Sequence, residues 1–205
     1  MAAVRPVARR YPAPLVPAPG ARARRLAAAV AAVILAGADP GADGAVALID
    51  AETGRILALV DMPMSGTELR VRELLLDLVA ALDGRRLGHL WIERQAPYAG
   101  EGRRIGGSSA FALGQRFMAL KAIAACSGWP FEIVTAARWK GHFGIKADKS
   151  LALDCAGRLL PLDAERWAVR RGVCTRAAAI GRAEAALIAL YGLRSIRSIA
   201  AGEAA

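Results

Sequence analysis

The chain has 205 residues, with 28 Lys+Arg against 18 Asp+Glu, a formal net charge of +10, and 55% hydrophobic residues. That length suits one globular domain able to bury a core, and the apolar fraction excludes a largely disordered protein. The charge favours a polyanionic partner, nucleic acid or an anionic surface, without saying where the charge sits.

The first 38 residues hold Arg5, Arg9, Arg10, Arg22, Arg24 and Arg25, five prolines and no acid. Residues 1–30 therefore read as a disordered basic arm. The apolar run Leu26–Gly37 is shorter than the roughly 20 residues that a bilayer-spanning helix needs. A basic start followed by an apolar run also has the outline of a secretory signal or, being rich in arginine and free of acids, of an organellar transit peptide. The segments that follow favour a buried first strand instead, and a cytoplasmic protein with no membrane partner is expected.

Strands are predicted at 31–38, 44–50 and 55–61. Ala51-Glu52-Thr53-Gly54 forms the turn between the last two, so the three read as an antiparallel meander. Leu69, Leu74, Leu75, Leu78, Val79 and Leu82 have the spacing of an amphipathic helix over 67–82. A fourth strand, 87–93, ends on an acid in the run LWIE. The Gly- and Arg-rich stretch 94–107 is a loop, and Ser108 is read as the cap of a helix running to Cys126. A fifth strand at 130–134 precedes helices at 135–142, 147–159 and 181–192. This order gives an α/β fold with a mixed sheet. The domain is bounded at 31–194, with a flexible tail at 195–205. Cys126, Cys155 and Cys174 are odd in number and widely spaced, which suits buried free thiols in a reducing compartment.

Chemistry concentrates at three acids. Asp39 directly follows the first apolar strand, and Glu93 ends the fourth. Glu184 lies in GRAEAALIALYG among almost wholly apolar neighbours. A glutamate on a buried helix needs a partner, and carboxylates sharing a divalent ion would supply one. Oxygen-rich sets suit Mg²⁺ or Mn²⁺, and two such ions about 4 Å apart drive phosphodiester hydrolysis.

The ordered set GADPGADGAVALID, LWIERQ, R-W-K, K-A-D-K-S and G-R-A-E-A resembles the RuvC-like Holliday-junction resolvases of the ribonuclease H-like superfamily. The resemblance spans about 35–192. It implies a ribonuclease H-like fold, whose five-stranded mixed sheet has three antiparallel strands then two parallel ones, flanked by helices. It also implies a metal-dependent endodeoxyribonuclease of recombination and repair, a homodimer that nicks four-way DNA junctions. Asp39, Glu93 and Glu184 match the catalytic, metal-binding acids, with two Mg²⁺ or Mn²⁺ ions per site.

Lys146, Lys149 and Lys140, with Arg94, Arg103 and Arg104, are candidate DNA contacts, placed to meet phosphates rather than bases. Trp139 reads as core. Two departures matter. Ile180 stands where relatives commonly carry an acid four residues before the glutamate, which opens a rival reading as a catalytically weak or inactive nucleic-acid binder. Asp43 replaces a small polar residue and reads as a turn aspartate or an outer ligand. An actin-like phosphate loop and a calcium loop over 39–50 are poorer matches. The chain lacks a second phosphate loop, and Gly41 and Ala47 occupy calcium-ligand positions.

Overall fold

The computed structural model describes residues 34–95, 106–145, 150–171 and 174–202. The predicted arm, together with Arg103, Arg104, Lys146 and Lys149, lies outside the described residues. Strands β1 (Ile34–Ala38), β2 (Ala45–Asp50) and β3 (Ile56–Asp61) come first, followed by the two-residue strands β4 (Met64–Ser65) and β5 (Glu68–Leu69). Helix α1 (Val71–Leu82), strand β6 (Leu87–Arg94), helix α2 (Gly107–Cys126) and strand β7 (Phe131–Thr135) follow. The chain closes with helices α3 (Ala136–His142) and α4 (Ser150–Leu159), a 3-10 helix (Pro161–Trp167), and helix α5 (Arg176–Ala200).

The main sheet has the order β3-β2-β1-β6-β7. Strands β1, β2 and β3 pair antiparallel, whereas β6 pairs parallel with β1 and β7 parallel with β6. This is the expected mixed sheet, and no described helix is long and apolar enough to cross a membrane.

β1 is buried along its whole length because both faces of the sheet are covered. Its odd-numbered Leu35 packs in one cluster with α5, while Ile34, Ala36 and Ala38 pack in the other with Leu74 and Leu78 of α1 and Leu120 and Ile123 of α2. Helix α5 lies very close to the sheet. An added Cβ on Gly37 would stand 2.2 Å from the Ala189 backbone nitrogen, and one on Gly192 would stand 2.2 Å from the Trp91 ring. Small residues at 181, 185, 189 and 192 make that approach possible.

Four predicted boundaries need correction. Helix α1 begins at Val71 rather than residue 67, because Gly66, with φ of +60°, turns 64–69 into a small hairpin. Ser108 is not the cap of α2, since Gly106 precedes its first turn and no side chain caps it. Helix α5 starts at Arg176, where the Thr175 hydroxyl accepts from the Ala178 N–H at 3.1 Å, and it runs to Ala200, well into the segment expected to be a tail. Cys155 and Cys174 are buried as expected, but Cys126 is exposed at the end of α2.

Candidate active site

The pairing of β1 with β6 sets Ala38 beside Ile92. The next residues along these parallel strands, Asp39 and Glu93, therefore emerge together at the carboxyl end of the sheet. Asp39 opens a tight turn. Its Oδ1 accepts from the Gly41 N–H at 3.0 Å, and its own N–H donates to the Ala45 carbonyl at 3.0 Å. Gly44 permits the turn, since a Cβ there would stand 2.2 Å from the Asp39 carbonyl oxygen.

The same sheet end receives α3. Strand β7 ends at Thr135, whose hydroxyl accepts from the Arg138 N–H at 3.3 Å and starts the helix. Trp139 is fully buried, as read from the sequence, and its Nε1–H also donates to Glu93 Oε2 at 2.8 Å. The neighbouring Lys140 turns to the third acid, with its Nζ donating to Glu184 Oε1 at 2.7 Å. Adjacent residues of one short helix thus engage two different carboxylates.

Glu184 reaches the site from α5 and is 6% exposed. A cavity of about 110 Å³ is lined by Asp39, Asp43, Ile180 and Glu184 together with glycines of the turn and Gly181. Gly181 lets the helix meet the turn, because a Cβ there would stand 1.9 Å from the Asp43 carbonyl oxygen. Glu93 stands outside that lining. Burial raises the Glu93 pKa first, and the charges of Asp39 and Glu184 add to it. The Trp139 hydrogen bond and the Lys140 charge pull the other way, and the result is about 7. Like charges are therefore gathered here against their own repulsion.

Arg116, which the sequence reading missed, closes the far side of the turn. It is buried on α2, and its Nε donates to the Pro40 carbonyl at 3.0 Å. Burial lowers its pKa and the Asp39 charge opposes that shift. Its signal was present: an arginine at helical spacing from Leu120 and Ile123 lies on an apolar face and needs a partner. Of the other DNA candidates, Arg94 is exposed one residue past Glu93. Lys140 lies inward against Glu184 rather than on an outer surface.

Two carboxylates that repel each other at a sheet end fit one oxygen-preferring divalent ion. Mg²⁺ in particular is commonly held by one or two carboxylates plus waters and substrate phosphate. Among the described residues no group of three or more His, Cys, Asp or Glu is placed to hold a metal ion, Asp39, Glu93 and Glu184 included. The Glu184 arm already faces an ammonium, and Ile180 offers no ligand.

No protein-family model and no curated protein matches the chain. Solved structures do. Thermus thermophilus RuvC in complex with a Holliday junction substrate superposes with a TM-score of 0.53 at 21% identity, covering 78% of this chain and 91% of that one. A second Thermus thermophilus RuvC structure gives 0.54 at 20% identity, covering 77% and 92%. The yeast mitochondrial Holliday junction resolvase Ydc2 gives 0.50 at 15% identity, covering 86% of each chain. The fold is that of the RuvC-like, ribonuclease H-like proteins.

Proposed function

We propose that the chain is a nuclease that binds four-way DNA junctions and hydrolyses phosphodiester bonds in them, using Asp39 and Glu93 with Mg²⁺ or Mn²⁺. The observation that supports this most is the placement of both acids at the ends of neighbouring parallel strands, with Glu184 near enough to shift Glu93. The likeness to RuvC bound to a Holliday junction supports the substrate class.

Asp39 and Glu93 would hold a divalent ion, which would supply Lewis-acid activation of water and charge neutralisation at the scissile phosphate. The protein's own groups set up the site. The Gly41 N–H fixes one Asp39 oxygen. The Trp139 indole fixes Glu93 Oε2. Arg116 anchors the Pro40 carbonyl and so the turn that carries Asp39. Hydrolysis consumes water and leaves a nick, with no other co-reactant. Exposed Arg94 adds positive charge beside the site for backbone contact.

Pairing of two chains suits a junction with two-fold related strands. Phe111 and Met118, seven residues apart on α2, are 69% and 54% exposed and offer an apolar stripe for it.

The test compares cleavage of a synthetic four-way junction with that of a linear duplex, a flap and an RNA–DNA hybrid, in Mg²⁺ and in Mn²⁺. Selective nicking of the junction is expected. A second reading, a junction binder that does not cut, is favoured by Ile180 in the cavity wall and by the Lys140–Glu184 pair. Its signature is tight binding with no cleavage in either metal.

A further inference from the structure

We propose that the Lys140 ammonium is a built-in cation that takes the place of a second divalent ion at the Glu184 arm of the site. The inference rests on the functional reading above and deepens it: the chain would work with one exchangeable ion rather than two.

The ammonium lies 2.7 Å from Glu184 Oε1, and the two side chains are only 17% and 7% exposed. A compact, strongly hydrated charge is costly to bury, and it persists here because an opposite charge, more buried still, lies in hydrogen-bond contact with it. The helix that carries it is fixed by the Thr135 cap and by the fully buried Trp139, which is tied to Glu93. Lys140 therefore starts from a fixed position beside Glu184.

Ile180 supplies the second observation. It stands one helical turn before Glu184, on the same face of α5, and lines the same cavity. An apolar side chain there removes one donor from this arm and leaves Glu184, Asp39 and Asp43 as the carboxylates that line the cavity. The three acids already face two of the protein's own cations, Lys140 beside Glu184 and Arg116 beside Asp39.

The test counts Mn²⁺ bound to the full chain without DNA, by electron paramagnetic resonance, in the unaltered protein, in Lys140→Met and in Lys140→Met/Glu184→Gln. Methionine keeps the length and apolar stem of lysine without its charge. The inference predicts that Lys140→Met binds one more ion than the unaltered protein, and that the double variant loses that gain. Manganese should also raise the melting temperature of Lys140→Met more than that of the unaltered protein. If Lys140→Met does not fold, Lys140→Gln is expected to show the same gain. Two ions on the unaltered protein, or an equal count in it and in the lysine variant, overturns the inference. No ion on the unaltered protein instead overturns the metal-dependent reading, and an ion gained by Lys140→Met would then still uphold the role of the lysine.

Discussion

The Trp139 indole donates to Glu93 across 2.8 Å, joining a helix that follows β7 to the acid that ends β6. A residue buried for packing is thereby also the group that orients a candidate catalytic carboxylate. Trp139→Phe keeps an aromatic six-membered ring but removes the donor together with the pyrrole part of a fully buried indole, so its loss of stability is measured beside its activity. A hydrogen bond to a charged group contributes about 1.5–3 kcal/mol, so junction nicking should fall about tenfold or more while junction binding is retained. The Glu93 pKa should rise further, since the bond that lowers it is gone. Side-chain carbonyl NMR of the metal-free variant checks the titration.

Glu93 destabilises the metal-free fold at neutral pH. Its pKa rises from the ordinary 4.5 to about 7, chiefly through burial and then through the Asp39 charge. A raised carboxyl pKa means that the protonated form favours the fold. That stability is complete below the unfolded value and is lost as pH rises through about 7. Thermal melts of metal-free protein should therefore decline between pH 5 and pH 8. Glu93→Gln should flatten the decline and stabilise the protein at pH 8 by on the order of 2 kcal/mol, while abolishing nicking.

Gly181 and Gly114 separate a packing requirement from helix propensity. Both are helical. A Cβ on Gly181 would meet the Asp43 carbonyl, whereas one on Gly114 has nothing within 4 Å. Gly181→Ala should force α5 away from the Asp39 turn, cost about 1–3 kcal/mol and sharply reduce nicking. Gly114→Ala should stabilise the protein by about 0.5–1 kcal/mol with nicking unchanged. Urea denaturation of the pair is the measurement.

Far from the site, Asp163 in the 3-10 helix binds Arg55 through Nε at 3.1 Å and Nη2 at 3.2 Å, and accepts from the Ile56 N–H at 3.2 Å. Burial would raise its pKa, but these hydrogen bonds outweigh burial and hold it below the ordinary value of 3.8. A depressed carboxyl contributes stability that is present above the unfolded pKa and is lost as pH falls through the folded one. Asp163→Ala leaves the Ile56 N–H unpaired and should cost about 1–3 kcal/mol at pH 7. Asp163→Asn should be less sensitive to acid than the unaltered protein below pH 4 in the same melts.

The strands and the two acids at their ends were legible because apolar runs that stop at an acid mark both the strand and its end. That Asp39 and Glu93 belong to one site was implied by the family resemblance rather than by those runs. The length of α5 was not legible. Gly192 has the look of a helix terminus, but it is glycine because the Trp91 ring packs against it, and the helix continues eight residues further to Ala200. The partners of the acids were hidden for a different reason. Which carboxylate Trp139, Lys140 or Arg116 meets depends on β7 lying beside β6 and on α5 crossing β1, and neither is written in local spacing.

Cutting of junction DNA by Asp39 and Glu93 with a divalent ion is tested by the nicking rate on a synthetic four-way junction in Mg²⁺ and Mn²⁺ for the unaltered protein, Asp39→Asn and Glu93→Gln, with junction affinity measured beside it. Metal-dependent nicking should fall at least about a hundredfold in both variants, the scale of losing a charge-stabilising active-site group, with affinity kept. Tight binding with no nicking in either metal, or nicking that survives Asp39→Asn, would contradict it.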